Sequence, residues 1–518
     1  MGRFNKSNKN NGQENMDFSS PENLGTLSGN YEEDIKWLKE IFKDDDSIVF
    51  RRLNIGVDGS INASLIFFDG LVDSAIIDNN IIKPLTELEQ IPKEKSAEDI
   101  FLSKVVQIDS VKKVKDLDEI IQEITYGDTL LVIDGIGEGL LFSTKNFESR
   151  SISEPEGEKI LSGPREGFTE VIITNLSLVR RKLRTNKLKM KYFKLGKETN
   201  TQICVAYLDN IAAPKTLKEL YRRLGQIDID GILDANYINE LIRDNPWSPF
   251  RSIGYTERPD VVSAKLLEGR IAIFVDGTPV VLALPYLFIE NFQSNEDYYL
   301  SFYYTSFSRI LRILGFFLTT LVPAIYIAVT AFHQEMLPAP LLISVAIERQ
   351  KVPLPAAVEA FIMLIVFEIL KETALRMQTN VGQALSIVGA LVLGQAAVEA
   401  NLVAAPMIIV IAITGITSIL VPRMNAPIFL IRFIMLILAS FLGFFGVTIG
   451  FALMLTHILS LKSFGNWQLA SASKLNYQTI KDTIIRGPWY RMILRPRQLT
   501  GNAVRQKNTW RGHDETYD

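Results

Sequence analysis

Long apolar runs separate the last 220 residues or so from the rest of the chain. Ile313 to Phe332 contains about 20 residues without a charged side chain, the length that crosses a hydrocarbon layer about 30 Å thick. Pro323 lies within this run and is compatible with a membrane helix, because neighbouring helices can satisfy the freed backbone group. The pattern predicts a transmembrane helical domain over residues 305–461.

Three further runs continue this pattern. The run from Val352 to Leu370 is apolar except for Glu359 and Glu368, so it is either a second span facing the bundle interior or a segment lying at the interface. Val381 to Ala397 and Leu402 to Val421 are two more candidate spans.

The last apolar stretch, Pro427 to Leu461, has one charged residue, Arg432. A single helix of this length overshoots the bilayer unless it is strongly tilted. Two short helices that meet near Gly443 and Gly446 are the alternative.

Positive charge orients the bundle. Arg309 and Arg312 precede the first span, and ten basic residues follow the last one, namely Lys462, Lys474, Lys481, Arg486, Arg491, Arg495, Arg497, Arg505, Lys507 and Arg511. Because cytoplasmic loops are enriched in Lys and Arg, both ends of the bundle are predicted to be cytoplasmic. An even number of crossings follows, four or six, with five as the alternative.

The first 295 residues have a different, α/β pattern. Residues 1–30 are polar and predict a disordered lead-in, with no apolar signal peptide. Short β-prone runs such as Thr129 to Asp134 then alternate with helical stretches such as Asp116 to Ile124. The fold class predicted is a multi-domain membrane protein, with two soluble α/β subdomains (31–150 and 151–295), an α-helical transmembrane bundle and a basic cytoplasmic tail (462–518).

The amino-acid composition excludes several kinds of functional site. A single cysteine, Cys204, excludes an intrachain disulfide framework and zinc sites built on several cysteines. The three histidines are scattered, and no nucleophile is placed with a base. The sequence therefore predicts that this is not an enzyme, and it predicts neither a cofactor nor a nucleic-acid partner.

Small residues recur at every fourth position of one predicted membrane helix, at Gly382, Ser386, Ala390 and Gly394. This spacing lets helix backbones approach closely, either within one subunit or around an oligomer axis.

Gln395 and Glu399 share a face of the same predicted helix, near its end. A ring of such groups from several subunits would favour cations.

The two acidic residues of the second run have separate predicted roles. Glu359 and Glu368 are nine residues apart, which places them on opposite faces of a helix and excludes a paired carboxylate site. Glu359 is the deeper residue and the candidate for function. Glu368 lies within reach of Lys371 and Glu372, where a solvated structural role is expected.

Two loops of the soluble half are candidates for a binding or contact site. Gly135-Ile-Gly137-Glu-Gly139 follows a strand but lacks the full spacing of a dinucleotide-binding loop, so it is interpreted as a turn. Thr256-Glu257-Arg258-Pro259-Asp260 concentrates charge beside a proline, which favours a rigid loop with internal ion pairs or a subunit contact.

Several motifs between residues 150 and 465 together resemble one known family, the A subunits of the GerA-type spore germinant receptors, including the related SpoVAF proteins. The motifs are Gly163-Pro-Arg165-Glu166-Gly-Phe168, Asn175 with Arg180 and Arg181, Thr256 to Asp260, Leu267-Glu-Gly-Arg270, Asp276-Gly-Thr-Pro279, Glu296-Asp-Tyr-Tyr299, Val352-Pro-Leu-Pro355, Phe367 to Lys371 and Gly389 to Val398. Arg165, Glu166, Glu257, Arg258 and Asp260 are the motif residues that the resemblance marks as functional candidates. The chain departs from the family at Asn466 and Trp467, which replace a proline and an aromatic residue, and at Lys371, which replaces a frequent arginine.

The resemblance implies a multi-pass component of the spore inner membrane. In such receptors a transporter-like B subunit is expected to sense the nutrient, and a lipoprotein C subunit completes the complex. The A subunit is expected to form a homo-oligomer, a pentamer, that conducts cations when nutrient is sensed. A secondary transporter that uses Glu359, and a non-conducting receptor scaffold, are the alternative hypotheses.

Overall fold

The computed structural model describes residues 25–55, 61–87, 111–145, 154–155, 157–160, 162–376, 392, 394–469, 482–492, 494–496, 499–500 and 504–505. The chain divides into two compact units, residues 1–147 with 184–186, and residues 148–183 with 187–518.

The first unit contains one five-stranded antiparallel sheet, ordered β1-β2-β4-β5-β3. Its elements are α1 (Tyr31–Ile41), β1 (Ile48–Ile55), β2 (Ile61–Phe68), a helical stretch α2 (74–86) that includes the π-helical residues Ile77–Ile82, β3 (Val111–Val114), α3 (Leu117–Tyr126), β4 (Thr129–Ile133) and β5 (Gly139–Phe142).

Alternation along the central strand β4 gives this sheet two buried faces. Leu130 and Val132 pack with α1 and α3, whereas Leu131 and Ile133 pack with α2. Successive side chains of a strand point to opposite faces, so a strand that is buried throughout must be covered by helices on both sides. The result is a three-layer arrangement, which confirms the α/β prediction for this region.

The second unit begins with a sheet of the same size, ordered β6-β7-β9-β10-β8 and also antiparallel. Its elements are α4 (Ile172–Lys182), β6 (Leu188–Leu195), β7 (Thr201–Leu208), α5 (Pro214–Leu224), α6 (Ala235–Ile242), β8 (Gly254–Thr256), α7 (Pro259–Leu267), β9 (Ile271–Val275) and β10 (Val281–Leu284). Helices α4 and α7 cover one face, and α5 and α6 cover the other.

The two sheets have the same strand order, because replacing β1 to β5 by β6 to β10 converts one list into the other. Each begins with a hairpin of two 8-residue strands. Each also turns after its central strand on an Asp-Gly pair, at Asp134-Gly135 and Asp276-Gly277, where the glycines have φ of 79° and 84°. The hydrophobic pattern of the sequence did not predict this structural repeat.

The apolar region of the second unit is helical. Its helices are α8 (Phe302–Ile327), continued by the π-helical turn Ala328–Phe332, then α9 (Ala339–Gln350), α10 (Ala356–Arg376), α11 (Ala405–Ile419) and α12 (Asn425–Ser460). Among the described residues, Phe302–Phe332 and Pro422–Ser460 are long and apolar enough to cross a membrane, and Ala405–Ile419 is a shorter apolar helix.

Helix α12 is a hairpin of two helical halves. Gly443 has φ 59° and ψ −138°, which is not helical. Gly446 lies against the carbonyl of Leu438, and Gly450 lies against Met435. In a straight helix, 15 residues span about 22 Å, so Met435 and Gly450 can meet only if the chain reverses. The structure therefore has the two short helices that the length of this stretch predicted as an alternative.

Helix ends in this region lie either beside the second sheet or at the opposite, far end. His457 contacts Ser248 beside the sheet, with 2.9 Å between its Nε2 and the serine Oγ. The hairpin tip at Gly443 packs on Phe332 at the far end. Helix α10 begins in the far-end cluster that contains Ile327, and its residue Lys371 donates to Asn425 at the start of α12 (3.2 Å).

Described residues of the tail fold back onto the second sheet. Met492 and Leu499 are buried, and Thr500 Oγ1 donates to the carbonyl of Ile211 at 2.7 Å. The predicted basic tail is therefore, in its described part, packed against the α/β region.

Candidate functional site

Glu359 lies in the first turn of α10 and is 1% exposed. Its Oε1 accepts a hydrogen bond from the backbone N–H of Ala404, 2.7 Å away, at the residue that caps α11. A carboxylate at a helix N-terminus satisfies an N–H that has no partner within the helix, and it is favoured by the helix dipole. The structure thus places Glu359 inside the bundle and gives it a structural partner.

Glu368 was expected to have a solvated structural role within reach of Lys371 and Glu372, and the structure gives it a different partner while leaving its side chain 24% exposed. Glu368 forms an ion pair with Arg432 on the first half of α12, and the arginine side chain is 1% exposed. Local spacing could not reveal a partner 64 residues away. Glu372 instead pairs with Arg376 at 2.7 Å.

Part of the predicted pore face can be described. Gln395 Nε2 donates to Glu399 Oε1 at 2.9 Å, and both side chains are exposed. Gly394 is buried, and a Cβ added there would lie 3.8 Å from Ile408. The other small residues of this face, Gly382, Ser386 and Ala390, lie outside the described residues.

Within the soluble motif, Arg258 is fully buried and holds Asp260 with two hydrogen bonds, each 3.1 Å long. Arg258 also donates to the carbonyl of Pro164. Tyr299 donates its hydroxyl to Asp260 Oδ2 at 2.6 Å. The motif therefore contains the internal ion pair that its composition predicted, and it is attached to the segment that leads into α8.

The remaining motif residues are separate from this cluster. Glu166 binds Lys182 at 2.9 Å and also pairs with Arg181. Burial raises the pKa of Glu166, but its hydrogen bond to Lys182 and the nearby positive charges outweigh burial and hold the pKa below its ordinary value. Glu257 packs beside Gly157, and Arg165 is exposed.

A buried ionic cluster lies where the second sheet meets α8. Asp297 accepts from Arg309 at 2.8 Å and from Arg312 at 2.9 Å. Arg309 also pairs with Asp482 of the tail at 3.1 Å, and Tyr298 donates to the same carboxylate at 3.1 Å. From the sequence, Arg309 and Arg312 were expected only to orient the bundle in the membrane. Their positions three residues apart on one helix face were the signal for a shared partner.

A second buried cluster connects α7 to the same junction. Glu290 binds Arg270 at 2.5 Å and also pairs with Lys265. Arg270 binds Glu268 at 3.3 Å. The Leu267–Arg270 motif, one of those that carry the family resemblance, is therefore part of this network. Burial lowers the pKa of Lys265, and the charge of Arg270 lowers it further. Among the described residues, no group of three His, Cys, Asp or Glu side chains could hold a metal ion.

Comparison with known proteins gives one consistent result. The family described as Bacillus/Clostridium GerA spore germination protein matches residues 36–498. Spore germination protein KA of Bacillus subtilis (strain 168) is 42% identical over 471 residues, which cover 90% of this chain and 86% of that protein. The uncharacterized membrane protein YfkQ of the same organism is 39% identical over 474 residues, covering 91% of each chain.

One solved structure is also similar. It is the N-terminal domain of the A subunit of the Bacillus megaterium spore germinant receptor GerK3, which is 35% identical and covers 51% of this chain and 97% of that chain, with a TM-score of 0.40. The family match over most of the chain and the identities of the near full-length relatives lead to one conclusion: this chain belongs to the GerA family of spore germination proteins.

Proposed function

We propose that this chain is the A subunit of a nutrient germinant receptor in the spore inner membrane, where copies of it assemble into a cation channel. Its relatives are named spore germination proteins, which supports a role in germination. A transporter-like B subunit and a lipoprotein C subunit are the proposed partners, and nutrient binding to the B subunit is the proposed trigger for ion release.

The arrangement of the helices supports several membrane crossings. Helices α8, α10 and α11 and the two halves of α12 each run between the end beside the second sheet and the far end. The span predicted from Val381 to Ala397 would bring the number of crossings to six, with both ends of the bundle on the cytoplasmic side.

Exposed apolar stripes support contact with lipid or with further subunits. On α10, Ile362, Ile365 and Ile369 are 44–59% exposed at helical spacing. On α11, Ile409 and Ile416 are 62% and 67% exposed. Contiguous apolar faces of this kind are costly in water, whereas a bilayer or a neighbouring subunit covers them at no such cost.

The observation that carries the channel proposal is the exposed Gln395–Glu399 pair on one helix of the bundle. A carboxylate that faces lipid is costly, so this one should face water or another subunit. Repeated around an oligomer axis, Glu399 forms an acidic ring that attracts cations. The small residues Gly382, Ser386 and Ala390 would let the copies of this helix approach closely.

Ion flux through receptor complexes in liposomes tests the proposal. We expect Glu399→Gln and Gln395→Ala to lower cation flux or cation preference while leaving assembly intact. The matched control is Glu240→Gln, because Asn236 and Glu240 form a similar amide–carboxylate pair, 3.2 Å long, on the exposed face of α6. If the pore variants and the control gave the same flux and ion preference as the wild type, the pore assignment would be wrong.

The burial of Glu359 favours a second candidate function, a secondary transporter that binds a proton or cation at this carboxylate. Its test is solute uptake driven by a pH gradient in liposomes that contain this chain alone. Uptake that is lost in Glu359→Gln would favour the transporter. A third possibility, a non-conducting scaffold, would be favoured by complete assembly without flux under nutrient stimulation.

A further inference from the structure

A cavity of about 370 Å³ opens in the second unit between α7, the segment before α8 and the tail. Its wall includes Ala264 and Leu267 on one face of α7, together with the rings of Tyr255, Tyr299 and Trp489. These three rings are 42–49% exposed. Pockets for small molecules typically occupy about 300–1,000 Å³ and are lined mainly by apolar and aromatic groups, so the cavity has the size and lining of such a site.

Positive charge exceeds negative charge around this cavity. Its lining contains four cationic side chains and three carboxylates, which are Lys265, Arg423, Arg495 and Arg505, and Asp260, Glu268 and Glu290. Lys265 pairs with Glu290, Arg505 pairs with Glu268 at 3.1 Å, and Arg423 pairs with Glu158 at 3.0 Å. Arg495 donates to the carbonyl of Leu267 at 2.6 Å and to the carbonyl of Val504, so it lies beside Arg505 on the tail side of the cavity.

The two tail arginines are close enough to affect each other. Burial lowers the pKa of Arg495, and the positive charge of Arg505 lowers it further. Arg505 Nε is buried and has no hydrogen-bond partner among the described residues. An anion beside these guanidinium groups would accept that hydrogen bond and reduce the repulsion between the two charges.

We propose that this cavity binds a small organic anion, with its acidic group at Arg495 and Arg505 and an apolar body of about one ring against Tyr299 and Trp489. A soluble organic acid and the acidic end of an anionic lipid share this chemistry. The inference goes beyond the proposed channel, and it does not depend on ion flux. Because Arg505 belongs to the tail and Tyr299 to the segment before α8, an occupant would bridge the tail to the entry of the membrane bundle.

The probe is 4-fluorophenylacetate, compared with its uncharged amide, 4-fluorophenylacetamide. The full chain is placed in phosphatidylcholine nanodiscs, and binding is followed by broadening of the probe's fluorine NMR line. We expect the acid to bind and the amide to bind about tenfold more weakly, since a charge-assisted contact contributes that much to affinity. Displacement of the acid by added phosphatidylglycerol would identify a lipid as the natural source, and no displacement would identify a soluble acid.

Two variants test the location. Ala264→Trp fills the cavity and should abolish binding, and Arg505→Gln should weaken it about tenfold by removing the charge-assisted contact. Arg222→Gln is the matched control, because Arg222, whose side chain is exposed, forms a similar arginine–glutamate pair of 2.7 Å on the outer face of α5. If Ala264→Trp does not fold, the binding of the acid by Arg505→Gln tests the location of the site on its own. Equal binding of acid and amide, or equal binding by wild type and Arg505→Gln, would overturn the proposal.

Discussion

At the scale of single residues, the largest fully buried side chains include four arginines, which are Arg180, Arg258, Arg309 and Arg432. Removing a guanidinium from water costs several kcal/mol unless acceptors replace the lost hydration. Asp260, Asp297 and Glu368 supply them for the last three of these arginines. The Arg309–Asp297 and Arg432–Glu368 pairs therefore fix the relative positions of separate segments of the second unit, whereas the Arg258–Asp260 pair stabilises one loop.

The Arg432–Glu368 pair gives the first prediction. Arg432→Met leaves the Glu368 carboxylate, which is only partly exposed, without its partner, so the free energy of unfolding should fall by about 2 kcal/mol. Unfolding of the full chain in mixed micelles measures this change. Replacing both partners with Glu368→Leu and Arg432→Met should recover most of the loss.

Arg376→Met is the control for this prediction. Arg376 and Glu372 form an exposed pair on the same helix as Glu368, and such pairs contribute less than about 1 kcal/mol. A fall of similar size in Arg376→Met and Arg432→Met would contradict the role assigned to the buried pair.

Asp128 gives a prediction about pH. Burial raises its pKa to about 6, and Lys145 at 3.1 Å offsets this only in part. A carboxyl whose pKa is raised on folding stabilises the folded state fully below its unfolded pKa of 3.8, and this contribution is lost as pH rises through about 6. Thermal unfolding midpoints of wild type relative to Asp128→Asn should therefore fall between pH 4 and pH 7.

Asp78→Asn serves as the comparison, because Asp78 is an exposed carboxylate paired with Arg51 at 2.9 Å. The difference in unfolding midpoint between wild type and Asp128→Asn should depend on pH. If this difference stayed constant between pH 4 and pH 7, or changed in the same way for Asp78→Asn, Asp128 would not titrate as described.

At the scale of elements, length and glycine content predicted the division of α12. A run that is too long for one crossing and carries two glycines near its centre can reverse, because Gly443 adopts a positive φ that other residues rarely adopt. The strand pattern likewise predicted β4, from the β-prone run Thr129 to Asp134. Pairings between distant segments, such as Glu368 with Arg432 and Arg309 with Asp482, carry no local signal in the sequence and are seen only in the structure.

A disulfide tests the α12 hairpin. With Cys204→Ala as the parent, Met435→Cys and Gly450→Cys should form a disulfide on mild oxidation, because the two positions are in contact. In one continuous helix they would lie about 22 Å apart, beyond the reach of a disulfide. Loss of free thiols, measured with a mass-tagged maleimide, reports the bond.

The control pair is Met435→Cys with Thr456→Cys, which lies further along the second half. Oxidation of the control at the same rate as the test pair, or no oxidation of either pair, would contradict the hairpin.

At the scale of the whole molecule, the sequence predicted the fold class of each region more accurately than it predicted the contacts between distant segments. Apolar runs and positive charge predicted a membrane bundle after two α/β subdomains, and the α/β folds are present. The matching strand orders of the two sheets were not predicted, because the shared pattern lies in topology rather than in an obvious sequence period. The return of the tail to the second sheet was also missed, since isolated contacts such as Thr500 to Ile211 leave no periodic signal.

The central claim is that copies of this chain assemble around a pore. The most direct test is the native mass of the full chain extracted from membranes in a mild detergent and measured without crosslinking. We expect a single closed ring, with a mass corresponding to five copies of the chain when B and C subunits are removed. A uniform monomer at every protein concentration and in every detergent would contradict it.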